Sequence, residues 1–151
     1  MKALTAQWFE TKIKYEKTME DGQTKFTTEQ YVVDALSFTE AEKHVMEECK
    51  SMISGTFEVE NIKKASYKEV FLNENEEVIR YYKAKIMLIL FDEKTEKEKR
   101  KPMFVLVEAS SLEKAITLIH EGMKGTMSDY EIAAVNETQI LEVFLHNKVI
   151  E

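Results

Sequence analysis

Cysteine is almost missing from this sequence, which has one in 151 residues. Cys49 cannot form a disulfide within the chain, and paired-cysteine motifs are excluded, which is typical of a reducing compartment. Long apolar runs are missing too: the longest, Ile86 to Phe91, is far shorter than the ~20 residues that cross a bilayer. The first residues contain no apolar stretch of signal-peptide length. We expect a cytoplasmic protein without a membrane partner.

Proline and glycine are scarce, with one and four residues. This scarcity argues against long irregular or collagen-like segments. Hydrophobic residues make up 44% and charged residues 32%, the balance of an ordinary globular protein. A chain of this length can bury roughly 70% of the surface that it exposes when unfolded. We therefore expect one domain over residues 1–151.

An excess of basic residues is also missing. The formal net charge is −7, and the sequence pI is about 5.2. Proteins that bind nucleic acids usually carry a basic excess, because contacts to phosphates supply much of their affinity. The charge balance therefore disfavours nucleic acid as the partner.

Recognisable catalytic and metal-binding motifs are lacking. The segment HVMEEC places His44, Glu47 and Glu48 on one helical face, which could hold a metal, but glutamate-rich helix faces are usually solvated. No G-x-S-x-G motif or Ser-His-Asp order is found. His44 and Cys49 are awkwardly spaced for a base and its nucleophile, so a buried structural cysteine is expected. We predict no catalytic residues, no metal and no cofactor.

The sequence does contain an internal repeat. The segment TFEVENIKKASYKEVFL at 56–72 resembles DYEIAAVNETQILEVFL at 129–145, at an offset of 73 residues. The same offset aligns residues 8–72 with 81–145 without a gap. This ungapped match favours a tandem duplication over a chance likeness of two β-rich halves. Residues 73–80 then form a polar, exposed linker.

Repeat one predicts the element order ββαββ. Alternating apolar residues indicate a hairpin that turns at Glu20-Asp21-Gly22. Ser37 and Glu40 form a Ser-x-x-Glu capping box, so a helix should start there and run to about Ile53. The strands are expected near 8–19, 25–36, 56–63 and 67–72. The helix residues expected to face the sheet are Phe38, Ala41, Val45, Cys49 and Met52.

Repeat two predicts the same order. A strand at 81–91 should pair with 103–108 across a charged loop, and Ser110 and Glu113 form a second capping box. The helix that follows should face its sheet with Leu112, Ala115, Ile119 and Met123, and further strands are expected near 130–136 and 139–145. The pattern predicts an α+β fold: two duplicated ββαββ units forming antiparallel sheets, with two helices on one side and a pseudo-twofold axis.

Two strands of repeat two are apolar on both faces, at 83–91 and 103–107. Such strands are covered on both sides. Either they lie centrally under both helices, or one face is a subunit interface. We expect a homo-oligomer, a homodimer in the simplest case, with the monomer as the alternative.

Two basic segments are candidates for binding an anion. Gly122, Lys124, Gly125 and Thr126 follow the second helix, where glycines allow close backbone approach and the lysine adds charge. The alternative is an ordinary helix end with glycine caps. The second segment is the charged loop 92–101, which could clamp phosphate with Lys97, Lys99, Arg100 and Lys101 or be a solvated hairpin tip.

Three segments carry a resemblance to a known family: WFETKIKYEKT, YVVDALSFTEAE and EGMKGTMSDYEIAAVNET. They resemble a family of proteins of about 150 residues, with a domain of unknown function, from Bacteroidetes and their phages or mobile elements. The resemblance covers Trp8 to Phe144. It implies a bacterial cytoplasm and a phage or mobile-element setting. It brings no assigned activity, so no residue's role can be carried over.

The sequence therefore leads to three hypotheses about function. The first is a non-enzymatic binding protein that captures a small anionic, nucleotide-type ligand with Lys99, Arg100 and residues 122–126. The second is a protein–protein interaction adaptor that uses the apolar strands. The third is an enzyme whose site is not recognisable from sequence, with His120, Glu121 and Lys124 as the first residues to test.

Overall fold

A computed structural model describes residues 1–73 and 79–146 of the chain. Two long hairpins dominate it, because alternating apolar residues give each strand one face to bury. The helices are α1 (Phe38–Met52) and α2 (Leu112–Gly122). The strands are β1 (Lys2–Thr5), β2 (Trp8–Thr18), β3 (Thr24–Asp34), β4 (Phe57–Lys64), β5 (Glu69–Leu72), β6 (Arg80–Asp92), β7 (Lys97–Ala109), β8 (Asp129–Glu137) and β9 (Ile140–Phe144).

The second hairpin is longer than predicted. Strand β7 begins at Lys97 instead of Met103, so most of the charged segment 92–101 is paired strand and only residues 93–96 form the turn. Charged side chains do not oppose strand formation here, because they alternate along a solvated hairpin and do not enter a core. The prediction of a charged loop from Asp92 to Lys101 was therefore wrong.

Both helices begin at a serine cap, as the sequence predicts, but the second cap is displaced. The side chain of Ser37 accepts the N–H of Glu40, and that of Ser111 accepts the N–H of Lys114. The capping serine of α2 is thus Ser111 and not Ser110. The hairpin β6–β7 has one more residue than β2–β3 before its helix, so the offset between repeats is 74 in this part of the chain.

The buried helix faces agree in part with the prediction. Residues Ala41, Val45 and Cys49 of α1 are fully buried, and His44 joins them. The expected contacts of Phe38 and Met52 are incomplete: these side chains are 55% and 48% exposed. In α2 the buried residues are Ala115, Leu118 and Ile119, with Met123 just beyond the helix, whereas the expected Leu112 is 46% exposed. These partly exposed residues lie in the first and last turns of the helices.

The chain divides into two compact units, each with one sheet and one helix. Unit 1 consists of residues 1–5 and 66–138, and unit 2 consists of residues 6–65 and the chain from Gln139 onwards. The sheet of unit 1 has the order β1-β5-β7-β6-β8 and packs against α2. The sheet of unit 2 has the order β4-β2-β3-β9 and packs against α1. The α+β class predicted from the sequence is confirmed.

The two similar strands at the ends of the repeats change places. Strand β5 belongs to repeat one but pairs with β7 of repeat two, and β9 belongs to repeat two but pairs with β3 of repeat one. Both pairings are parallel, so the sheets are mixed and the prediction of purely antiparallel sheets was wrong. A strand of only four or five residues carries no sequence signal for the strand with which it pairs.

The registers of the two units correspond closely. In unit 1, Val70 lies opposite Leu106, and in unit 2, Val143 lies opposite Val32. The first hairpin strand of each unit also has a register shift at an equivalent place, after Lys12 and after Lys85. Read from the exchanged strand inwards, both sheets have the same strand order. The duplication, the pseudo-twofold axis and the single domain stay predictions. Most of the predicted linker 73–80 lies outside the described residues.

One element was not predicted and has no counterpart among the residues that the structure describes. Strand β1 pairs antiparallel with β5 at the edge of the unit 1 sheet, and Leu4 at its centre is 2% exposed. The predicted two-sided burial of 83–91 is only partial, since Leu90 and Phe91 are 36% and 68% exposed. Among the described residues, no helix is long and apolar enough to cross a membrane.

Candidate functional site

The glycine-rich segment 122–126 forms the end of α2 and the turn after it. A side-chain carbon added at Gly122 would lie 2.6 Å from the ring of Phe71, so this glycine is required for close packing of α2 on β5. Gly125 has φ of +90°, which favours glycine. The N–H groups of Lys124 and Thr126 donate to Glu121 O at 3.2 Å and to Met123 O at 3.1 Å. These contacts support the helix-end interpretation of the segment.

The other predicted ligand residues lie on β7 and have carboxylate partners. Lys99 Nζ is 3.7 Å from the Asp92 carboxylate across the hairpin, and Arg100 pairs with Glu131 on β8. The side chains of Lys99 and Arg100 are more than half exposed. Exposed ion pairs of this kind contribute little to stability and leave the cations accessible to solvent. Lys99 and Arg100 therefore pair with carboxylates on β6 and β8, whereas the 122–126 turn makes its contacts at the end of α2.

A more enclosed site lies in unit 1, where β7 extends past the start of β5. Strand β5 begins at Glu69, which lies opposite Val105, so residues 97–104 have no strand on that side among the described residues. The corner encloses a pocket of about 350 Å³. We call it the corner pocket. Its lining residues are Thr5, Ser66, Lys68, Glu69, Leu88, Lys101, Pro102, Met103 and Phe104.

The corner pocket combines an apolar interior with polar groups around it. Leu88, Met103 and Phe104 are half-buried, whereas Lys68 and Lys101 are exposed at its rim. Thr5 and Ser66 add hydroxyl groups, and Glu69 adds one carboxylate. Small-molecule sites typically combine apolar walls with a few polar groups that fix orientation. Two ammonium groups beside an apolar surface suit an anion that has an apolar part.

Unit 2 has polar groups at the equivalent place. Tyr15 donates a hydrogen bond to the Glu29 carboxylate, and Tyr31 donates to its other oxygen at 2.7 Å. The hydrogen bond with Glu29 raises the pKa of Tyr15 to about 12. Burial, followed by the bond to Glu29, raises the pKa of Tyr31 well above its usual value.

The hairpin registers identify the unit 1 counterparts of these polar groups. Glu29 lies opposite Ile13 and Met103 lies opposite Ile86; in the same way Tyr15 corresponds to Leu88. Unit 2 therefore has a hydrogen-bonded cluster where unit 1 has the apolar interior of the corner pocket. Polar residues in one repeat that correspond to apolar residues in the other are the sequence signal that could have found the pocket. The comparison at a constant offset of 73 missed this signal at Glu29, because Glu29 corresponds to Met103 at an offset of 74.

Two histidines meet in unit 2. The rings of His44 and His146 stack with centroids 4.3 Å apart. His44 Nδ1 is 2.8 Å from Asp34 O, and His146 Nε2 is 2.8 Å from a Glu48 carboxylate oxygen. Within residues 1–73 and 79–146, no group of three or more histidine, cysteine or acidic side chains is arranged to hold a metal ion. The histidine pair connects the end of β9 to α1.

The remaining residues considered for chemistry have structural partners. His120 Nδ1 is 2.7 Å from Tyr130 Oη, with both residues in unit 1. Cys49 is buried, which raises the pKa of its thiol to about 11 and keeps it protonated at neutral pH. The cysteine is therefore not an activated nucleophile.

Comparison with known proteins identifies a family and goes no further. No curated protein and no solved structure matches the chain. One family model matches residues 7–146, which is most of the sequence. It covers both repeats but not β1. The chain belongs to the family described as domain of unknown function DUF4494.

Proposed function

We propose that the protein is a non-enzymatic binding protein whose corner pocket captures a small anionic molecule with an apolar part. The observation that carries this proposal is that Lys68 and Lys101 lie at the rim of an apolar pocket. In unit 2 the equivalent place holds the polar Tyr15–Glu29–Tyr31 cluster instead. A volume of about 350 Å³ is near the lower end for small-molecule sites. The ligand is thus about as large as one substituted ring, such as an aromatic acid, a phenyl phosphate or the base of a nucleotide.

This proposal keeps the ligand class expected from the sequence and moves the site. The turn 122–126 with Lys99 and Arg100 stays an alternative location, but the turn forms the end of α2, and the two cations pair with carboxylates on β6 and β8. A bacterial cytoplasm and a phage or mobile-element setting, as the family resemblance implies, belong to the proposal as well. A small soluble metabolite of that cytoplasm would be the natural ligand.

The first experiment measures binding of benzoate, phenyl phosphate and adenosine monophosphate by ligand-observed NMR, with inorganic phosphate as the probe without an apolar part. We expect at least one aromatic anion to bind more tightly than phosphate. Replacing Lys101 or Lys68 with alanine should weaken binding about tenfold, the worth of one hydrogen bond to a charged group. Leu88→Tyr with Met103→Glu, which copies unit 2, should abolish it.

The matched control is Lys97→Ala, which removes a lysine of the same strand outside the pocket. It should leave binding unchanged. If Lys99→Ala and Lys124→Ala weaken binding and the Lys68 and Lys101 variants do not, the site is the alternative one. If none of the aromatic anions binds better than phosphate, the proposed ligand class is wrong.

A further inference from the structure

The exchanged strands present the same four residues, and within residues 1–73 and 79–146 only β5 is covered by a further strand. Residues 69–72 and 142–145 both have the sequence EVFL. In unit 1, β1 pairs antiparallel with this segment, with Leu4 opposite Val70 and Ala3 opposite Phe71. In unit 2, β9 is the last strand of its sheet among the described residues. The protein therefore shows which kind of segment covers an EVFL edge, and it has a second EVFL edge that no other described strand covers.

The β9 edge carries apolar groups that are accessible to solvent. Leu141 is 52% exposed and Leu145 is 43% exposed, and Met52 at the end of α1 is 48% exposed. Beside them lies an open groove of about 570 Å³, which Tyr31 and Phe144 also line. Phe144 is only half-buried, whereas its counterpart Phe71 is 0% exposed beneath α2 and beside β1. The groove thus corresponds to a region that β1 helps to close in unit 1.

The β9 edge lacks the protection that another open edge of the protein has. Along β7, residues 97–104 also have no neighbouring strand on one side in the described part of the chain, but this stretch contains Pro102, Lys97, Lys99 and Lys101. Proline and lysine on an edge strand prevent unwanted pairing, because proline has no N–H to donate and lysine stays in water. The sequence ILEVF of β9 has neither residue. Its one charged side chain is that of Glu142.

The surroundings of the groove are acidic. Glu48 and Glu142 line it, and the chain as a whole has a net charge of −7. Glu48 occupies the helix position that Gly122 has in unit 1. It also contacts His146 Nε2 at 2.8 Å. A basic partner would be attracted by this field, and a second acidic copy of the chain would be repelled by it.

We propose that β9 binds an extended, basic segment of another polypeptide, which adds antiparallel to residues 142–145 as β1 adds to residues 69–72. Main-chain hydrogen bonds would supply affinity, and side-chain fit would supply specificity, as in other cases of strand addition. The pairing of β1 with β5 gives the sequence pattern expected of the bound segment: a leucine opposite Val143, a small residue opposite Phe144 and a lysine opposite Leu145.

Two arrangements of a second copy fit this edge less well. Antiparallel pairing of β9 with β9 of a second copy, centred on Glu142, would place the two Glu142 carboxylates opposite each other. Insertion of the β1 strand of a second copy would leave that copy's own β5 uncovered, so no edge would be gained. A segment from a different polypeptide avoids both costs.

The test titrates the full-length protein, labelled with ¹⁵N, with a peptide of the sequence MKALTAQ, residues 1–7 of the chain. We expect the amide signals of residues 141–145 to shift, with a dissociation constant of about 1 mM or below. A peptide with Ala3→Pro, which cannot complete the pairing, and one with Lys2→Glu, which reverses the charge, should each bind at least about tenfold more weakly.

Matched variants of the protein test whether the peptide binds at the β9 edge or at any exposed leucine. Leu145→Lys places a like charge opposite the lysine of the peptide and should reduce binding about tenfold. Leu36→Lys makes the same change at a leucine of unit 2 that is 74% exposed and outside the groove, and it should leave binding unchanged. Circular dichroism of both variants checks that they are folded.

Three results would overturn the proposal. The first is an absence of shifts at 141–145 at peptide concentrations well above the expected dissociation constant. The second is shifts confined to residues 69–72, which would mean that the peptide displaces β1. The third is a concentration-dependent dimer in sedimentation that Leu145→Lys dissociates and Leu36→Lys does not, because the occupant of the edge would then be a second copy.

Discussion

The two units of this protein have one topology and fill it in opposite ways. Unit 1 is closed: Phe71 lies beneath Gly122 of α2, β1 covers β5, and the sheet face is apolar. Unit 2 is more open and includes a polar cluster: Phe144 is half-buried, Tyr15 and Tyr31 bind Glu29, and β9 is the last described strand of its sheet. The same exchanged strand is therefore packed tightly in one unit and only partly in the other.

Both units share one polar device at the end of the exchanged strand. A buried carboxylate at the end of the hairpin accepts the backbone N–H of a residue just beyond that strand. In unit 2, Asp34 Oδ1 accepts the N–H of His146 at 2.7 Å, and in unit 1, Glu108 Oε1 accepts that of Asn73 at 3.1 Å. Hydrogen bonds to charged groups are stronger than neutral ones. The carboxylate therefore fixes where each exchanged strand ends, and further contacts decide how tightly it packs.

Substitutions that remove an aromatic ring from the exchanged strands are expected to lower stability the most. Phe71→Ala should reduce the free energy of unfolding by about 3–5 kcal/mol, since it leaves a cavity in a core that cannot collapse fully. Phe144→Ala should cost about half as much, because its ring is half-buried. Urea denaturation of both variants measures the difference. Equal losses would show that unit 2 is as tightly closed as unit 1.

Gly122 gives the next largest effect. An alanine at this position would bring its Cβ to 2.6 Å from the Phe71 ring, so Gly122→Ala should destabilise the protein by about 1–3 kcal/mol through overpacking. Gly55→Ala is the matched control, because nothing lies within 4 Å of a side chain there. Adding Phe71→Leu should recover part of the loss from Gly122→Ala. A Gly122→Ala variant as stable as the wild type would contradict the close packing.

Substitutions at the helix caps should have a smaller effect on stability, and they test which serines of the two repeats correspond. Ser37→Ala and Ser111→Ala should each cost about 1 kcal/mol, because each leaves an N–H at the start of a helix without its acceptor. Ser110→Ala should change stability by less than about 0.5 kcal/mol. Thermal denaturation of the three variants distinguishes the two serines. If Ser110 proved the costlier one, the 74-residue offset in this region would be wrong.

Much of this fold could be predicted from the sequence because its signals are local. Alternation and capping serines lead to ββαββ in both repeats, and the structure has this order after β1. Three features could not be predicted. Strand β1 is four residues long and lacks a turn signal, the exchange of β5 and β9 depends on pairing distant in sequence, and one extra hairpin residue shifted the cap from Ser110 to Ser111.

The candidate site was less predictable than the fold. Lys101 and Met103 were visible as parts of a charged and an apolar segment, but Lys68, Ser66 and Thr5 join them only because β5 and β1 pair at that corner. Glycines near a lysine suggested an anion site at 122–126, whereas Gly122 is explained by its contact with Phe71. Composition indicates the chemistry of a segment and cannot indicate which distant segment lies beside it.

The last effect is absent at neutral pH, appears only at high pH and belongs to unit 2. The pKa of Tyr15 is raised from 10.0 to about 12, first by its hydrogen bond to Glu29, and that of Tyr31 is raised first by burial. Because both pKa values are higher in the folded protein, the unfolded chain loses these protons first. The stabilisation is therefore complete below pH 10 and is lost as the pH rises towards 12.

Urea denaturation over this alkaline range should show a fall in the free energy of unfolding that Tyr15→Phe with Tyr31→Phe makes shallower. Cys49→Ala is needed beside it, since burial raises the pKa of that thiol from 9.0 to about 11 and adds a loss of the same sign. Leu88 and Met103, the unit 1 counterparts, have no proton to lose, so Leu88→Ala should lower stability without changing its dependence on pH. An alkaline slope unchanged in the double tyrosine variant would show that the Tyr15–Glu29–Tyr31 cluster does not distinguish the units in solution.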